Sequence, residues 1–142
     1  SRRRHTRYGT VTGVQTCALP ISSDAVLSRA RSLAPSGTEL TVLHDPVATV
    51  RGAQVLYTDV WASMGQEREQ ADREQAFHGW CLDEELLAEA DARAIVLHCL
   101  PAHRGEEISA GVIEGTASRV FDQAENRLHA QQALLAALLA PG

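Results

Sequence analysis

Lysine is missing from this sequence: all 13 basic residues are arginine. Together with a high alanine content this fits a GC-rich, bacterial genome, and it bears on origin rather than on function. Aromatic residues are scarce, at 4%. Cysteine occurs three times, at Cys17, Cys81 and Cys99, an odd and widely spaced set. That excludes a disulfide framework and favours free thiols in a cytoplasmic chain. No apolar run is long enough to span a bilayer, the longest lying near Ala133–Ala140. An arginine cluster opens the chain, but no apolar stretch follows it, so the expectation is no secretory signal and no membrane partner. No G-x-G-x-x-G follows any strand-like run, which argues against a dinucleotide-binding oxidoreductase. A basic nucleic-acid-binding body is excluded as well. Residues 1–22 hold four arginines and no acid, which takes the net charge of −5 to −9 over the other 120 residues.

What is there is a soluble-type composition, 44% hydrophobic and 22% charged, with room for one domain. Residues 1–22 join to nothing downstream in periodicity. Val11–Ile21 (VTGVQTCALPI) reads as one translation frame of a widely used sequencing-adapter oligonucleotide. The expectation is a non-native, disordered leader over 1–22 and a truncated domain over 23–142.

From Ser23 onward helix and strand signals alternate. Ser22, Ser23 and Asp24 offer caps for a helix carrying Val26, Leu27, Ala30 and Leu33, stopped by Pro35 and Gly37. Glu39–Leu43 is a short β-prone run. Asp45-Pro46 starts a short helix that Gly52 ends. Gln54–Thr58 is a second strand. Ser63 and Gln66 have capping-box spacing ahead of a polar helix to Phe77. Asp83 caps Glu84–Glu89, and Ala94–Leu97 is an apolar strand of the kind buried on both faces. A helical turn follows near Ser109–Glu114. Ser118–Phe121 is the last strand, and Asp122 with Glu125 caps a helix to about Leu139. Alternation without tight hairpins predicts an α/β fold, an incomplete doubly wound sheet of about four parallel strands with flanking helices.

Ligands of such sheets bind beyond the carboxyl ends of the strands. Three exits there are rich in reactive groups: Asp59–Gly65, His98–Gly105 and Asp122–Arg127. They are expected to converge. Asp59 can pair with an ammonium, backbone N–H groups around Ser63–Gly65 with a carboxylate, and the Arg127 fork with phosphate or carboxylate. That combination suits an amino acid meeting an oxyanion-bearing partner.

Three segments also carry a family resemblance. Asp59–Glu67 (DVWASMGQE), His98–Ile108 (HCLPAHRGEEI) and Phe121–Gln131 (FDQAENRLHAQ) resemble signature segments of ornithine carbamoyltransferases, and the similarity runs over about residues 24–139. The resemblance implies carbamoyl transfer from carbamoyl phosphate to L-ornithine, giving L-citrulline and phosphate, without metal or organic cofactor. It implies that Asp59, Ser63 and Met64 bind the amino-acid end of ornithine. Cys99 and Leu100 would sit beside the carbamoyl group and the attacking amine, and Arg127 would contact carbamoyl phosphate. Cys99 and Arg127 are then the catalytic pair. Relatives acting on aspartate, putrescine or acetylornithine carry different residues at Ser63-Met64-Gly65. The family's Ser-x-Arg-Thr and His-Pro-x-Gln segments are absent, as is the first βα unit of this domain with its ornithine-binding Asn. The expectation is therefore an inactive fragment, monomeric or aggregating, of an enzyme that is a homotrimer when complete. A non-catalytic amino-acid-binding module and a carbamoyltransferase for another amine are the alternatives. A nucleophile pair of Cys99 with His98 or His103 and a zinc site from His98, Cys99 and His103 are disfavoured: strand neighbours face opposite ways, which makes His98 a poor base, and the zinc set wants a fourth ligand. Asp122 reads as a cap.

Overall fold

The computed structural model describes residues 14–15, 24–61 and 77–140. Along them lie β1 (Val14–Gln15), α1 (Asp24–Leu33), β2 (Val42–Leu43), α2 (Pro46–Val50), β3 (Val55–Thr58), α3 (Glu84–Ala88), β4 (Ile95–His98), α4 (Ala110–Ile113) and α5 (Val120–Leu139). The strand pairs are parallel, β1 with β2 and β3 with β4. Parallel neighbours need long crossovers, and helices supply them. This is the parallel α/β arrangement that the alternation predicts.

Two details differ. Among the described residues the strands form two separate pairs, rather than one four-stranded sheet. The expected strand Ser118–Phe121 is reduced to a single parallel bridge, Ser118 to Val96. Arg119 N–H donates to the Val96 carbonyl at 2.8 Å, and the chain then turns at once into α5. Helix wins there because Val120, wholly buried, belongs to the core from the first helical position. Asp122 consequently lies in the first turn of α5 and is not its cap. The cap position falls to Arg119, which makes no side-chain capping bond. Asp122 instead sits 4.0 Å from Arg119 Nε, where its charge still favours the helix N-terminus. Of residues 1–22 only Val14 and Gln15 are described, and they pair with Val42 and Leu43.

The short helices begin where their caps dictate. Asp45 Oδ1 accepts from Val47 N–H at 2.9 Å and Ala48 N–H at 3.3 Å, ahead of Pro46. Asp83 Oδ1 accepts from Leu86 N–H at 2.8 Å, and Ser109 Oγ from Val112 N–H at 3.1 Å. Gly52 closes α2 at φ +69°, a left-handed conformation that glycine adopts without steric cost.

The core gathers on one face of β3 and β4. Leu56 and Val96 meet Val50, Leu82, Leu86, Ile108, Val112, Ile113 and Val120. Strand β4 was expected to be buried on both faces. In fact Val96 and His98 are buried while Ile95 and Leu97 are only partly so, and on β3 Val55 and Tyr57 are exposed. The helices that bury this sheet stand on the Leu56–Val96 side. Helix α5 runs on for 20 residues with only Val120 buried. No helix among the described residues is long and apolar enough to cross a membrane.

Candidate functional site

Register builds the site. Thr58 pairs with His98 at the ends of β3 and β4. Neighbouring strands lie about 4.8 Å apart, so the next residues, Asp59 and Cys99, leave the sheet side by side. Cys99 Sγ donates to Asp59 Oδ1 at 2.8 Å. The same oxygen accepts Val60 N–H at 2.7 Å. The second carboxylate oxygen, Oδ2, takes part in neither bond. Partial burial first, then the hydrogen bond to Asp59 and its negative charge, push the Cys99 thiol up to about 11, against a smaller downward pull from its own backbone and Tyr57. Cys99 itself remains exposed, so Asp59 is the partner through which that shift can be changed. At neutral pH the group is a protonated donor and not a thiolate nucleophile.

Beneath it, His98 is buried with both ring nitrogens engaged. Leu100 N–H donates to Nδ1 at 2.8 Å, and Nε2 lies 3.1 Å from Glu107 Oε1. A nitrogen that accepts a backbone N–H carries a lone pair, so the proton sits on Nε2 and the ring is neutral. No His98 nitrogen is left for Cys99, which disposes of the Cys99–His98 nucleophile pair. Leu100 is held at φ +55°, a left-handed conformation that costs a residue with a side chain about 1–2 kcal/mol. The bond to His98 and packing of Leu100 against the core offset it.

Helix α5 is tied to the same rim through Gln123. Its Oε1 accepts His98 N–H at 3.1 Å, and its Nε2 donates to the Tyr57 hydroxyl at 3.2 Å. Arg127 lies four residues on, on the same helix face, about 6 Å further along the axis. It is exposed, and among the described residues it makes no hydrogen bond or ion pair.

Asp59, Cys99 and Leu100 are thus brought together. Arg127 is carried by a helix anchored to their strands without touching them. Ser63 and Met64 lie outside the described residues, as do Gly65 and the helix expected from Glu67. Trp61 and Phe77, at the two edges of that stretch, stack with ring centroids 5.8 Å apart. Glu107, Gln123 and Tyr57 were not singled out as site residues by sequence, and His98 was weighed only as a base for Cys99 or a zinc ligand. Nothing in HRGEEI tells the buried Glu107 from the half-exposed Glu106 beside it. The zinc set His98, Cys99 and His103 does not form: His98 turns to Glu107 and Leu100, Cys99 to Asp59.

Residues 7–138 match the sequence profile of the family described as aspartate/ornithine carbamoyltransferase, Asp/Orn binding domain. The chain belongs to this family. The ornithine carbamoyltransferase of Parasynechococcus marenigrum is 72% identical over 114 residues, which are 80% of this chain and 36% of that one. The chain thus spans little more than a third of the carbamoyltransferase it matches. The crystal structure of ornithine carbamoyltransferase from Gloeobacter violaceus superposes with a TM-score of 0.76 at 48% identity, over 90% of this chain and 42% of that one. An acetylornithine transcarbamylase complexed with acetylcitrulline superposes with a TM-score of 0.77 at 29% identity, over 94% of this chain and 41% of that one. The carbamoyltransferase fold is therefore shared by proteins named for different amines, and it does not by itself choose between them.

Proposed function

We propose that this chain is the ornithine-binding part of an ornithine carbamoyltransferase, which joins carbamoyl phosphate and L-ornithine to give L-citrulline and phosphate. The observation that carries the reading is the Asp59–Cys99 hydrogen bond at a shared strand rim, in a chain of this family. In the reaction the δ-nitrogen forms a bond to the carbamoyl carbon, the carbon–oxygen bond to phosphate breaks, and the amine loses a proton. Such a step requires two substrates held in place and charge stabilised on the carbonyl and phosphate oxygens. It requires no nucleophile on the protein, which agrees with a thiol that stays protonated. Asp59 would offer Oδ2 to the α-ammonium of ornithine while Oδ1 holds the thiol. Ser63 and Met64 would complete the grip on the amino-acid end. Cys99 and the Leu100 backbone would face the carbamoyl group. Arg127 would meet the phosphate and stabilise its developing charge. The choice of ornithine over other amines would rest on Ser63-Met64-Gly65. The complete enzyme would be a cytoplasmic homotrimer.

For the chain by itself the reading is ornithine binding without turnover, because it spans 36% of its relative. Calorimetry should detect L-ornithine binding to the chain, weakened at least tenfold by Asp59→Asn. A citrulline assay should find no product from the chain alone. Ornithine binding that ignores D59N, or its complete absence, refutes the site. Turnover at the rate of a complete enzyme refutes the division of labour.

A further inference from the structure

Beyond the strand ends, the turn after Pro101 gathers a second set of ligating groups. Glu106 N–H donates to the His103 carbonyl at 3.0 Å, and Gly105 within this turn has φ +92°. His103 and Glu106 therefore stand at the two ends of one β-turn, with Glu107 next. One ligating atom from each of His103, Glu106 and Glu107 lies within 4.8 Å of the other two. Surface clusters of this kind are common, and alone they signify nothing. The group at the base of this one is different. Glu107 is completely buried. Its Oε1 is used twice, by His98 Nε2 at 3.1 Å and by His103 N–H at 2.6 Å. Its Oε2 is buried with no hydrogen-bond partner. That oxygen lies 3.8 Å from His103 Nδ1, too far for a hydrogen bond. Buried carboxylate oxygens are seldom left without a partner.

We propose that His103, Glu106 and Glu107 form a binding site for a first-row divalent cation of the zinc(II) type. One pair of donors is spaced for such an ion. Two donors each about 2.1 Å from a tetrahedral zinc stand about 3.4 Å apart, close to the 3.8 Å between Oε2 and Nδ1. One imidazole with two carboxylates favours zinc, cobalt or nickel over magnesium or calcium. The site is graded from exposed His103 through Glu106 to buried Glu107, so water can fill the remaining positions from the solvent side. His98 holds Oε1 and thereby aims Oε2, the outer-shell support that metal-bound carboxylates use. No residue assigned to ornithine or carbamoyl phosphate takes part.

The test is titration of the 142-residue chain with zinc(II), and with cobalt(II) as the coloured probe, at neutral pH. Uptake of one equivalent is expected, retained in Cys99→Ser and in Cys81→Ser. His103→Ala alters an exposed side chain and Glu106→Gln a partly buried one, and each should weaken binding by more than about tenfold. Circular dichroism of these two variants, unchanged from the parent, separates lost ligands from lost fold. The proposal is overturned if no cation binds, if binding ignores H103A and E106Q, or if C99S abolishes it, which would put the cation on the thiol. None of these results touches ornithine binding, so this site and the proposed function stand or fall separately.

Discussion

Cys99 shows how one contact sets a residue's chemistry. Its thiol is raised from 9.0 to about 11 by partial burial and by Asp59. Asp59→Asn removes the anionic neighbour, so the thiolate becomes easier to form. Alkylation by iodoacetamide at mildly alkaline pH should be several-fold faster in D59N than in the parent. An unchanged rate would mean that Asp59 does not hold the thiol in solution. The same shift has a consequence for stability. Between 9.0 and about 11 the unfolded thiol ionises while the folded one keeps its proton. The folded state then binds more protons, so stability falls as pH rises through that window. Cys81, raised chiefly by burial, acts in the same direction. Melting temperatures measured across this range should fall less steeply in Cys99→Ser.

Among the elements, the short helices depend on their first residues. Helix α2 has five residues and one buried side chain, Val50. So short a helix cannot persist on propensity alone, and Asp45 satisfies two of its free N–H groups. Asp45→Ala should lower stability by about 1 kcal/mol in urea unfolding. A change near zero would show that packing of Val50 alone holds α2. The caps Asp45 and Asp83 were legible in the sequence because capping is local: each reaches an N–H two or three residues away. Asp122 had the same local signal and lost it. The core needed Val120 in the helix, and a buried side chain outweighs an exposed cap.

For the whole molecule, α5 is the exposed liability. Leu128, Leu134, Leu135, Leu138 and Leu139 are each more than half exposed. So much apolar surface on one helix invites association. Limited proteolysis should cut α5 before β3 or β4. Replacing Leu134, Leu135 and Leu138 together by Gln should reduce self-association in sedimentation without loss of the core, since none is buried. Early cleavage elsewhere, with α5 protected, would contradict this.

The linear order of residues was enough for the α/β alternation, the parallel pairing and the placement of Asp59 and Cys99 at neighbouring strand ends. Those follow from periodicity, caps and the rule that parallel strands share a carboxyl rim, all of them short-range or topological. Folding in three dimensions settled the rest. It buried Glu107 and left Glu106 partly exposed, it joined His98 to Glu107, and it used Gln123 to tie α5 to both strands. Each of these is a contact between residues with no local signal to join them. Burial and hydrogen-bond partnership belong to the packed molecule, where a carboxylate's neighbours are chosen by the space that remains.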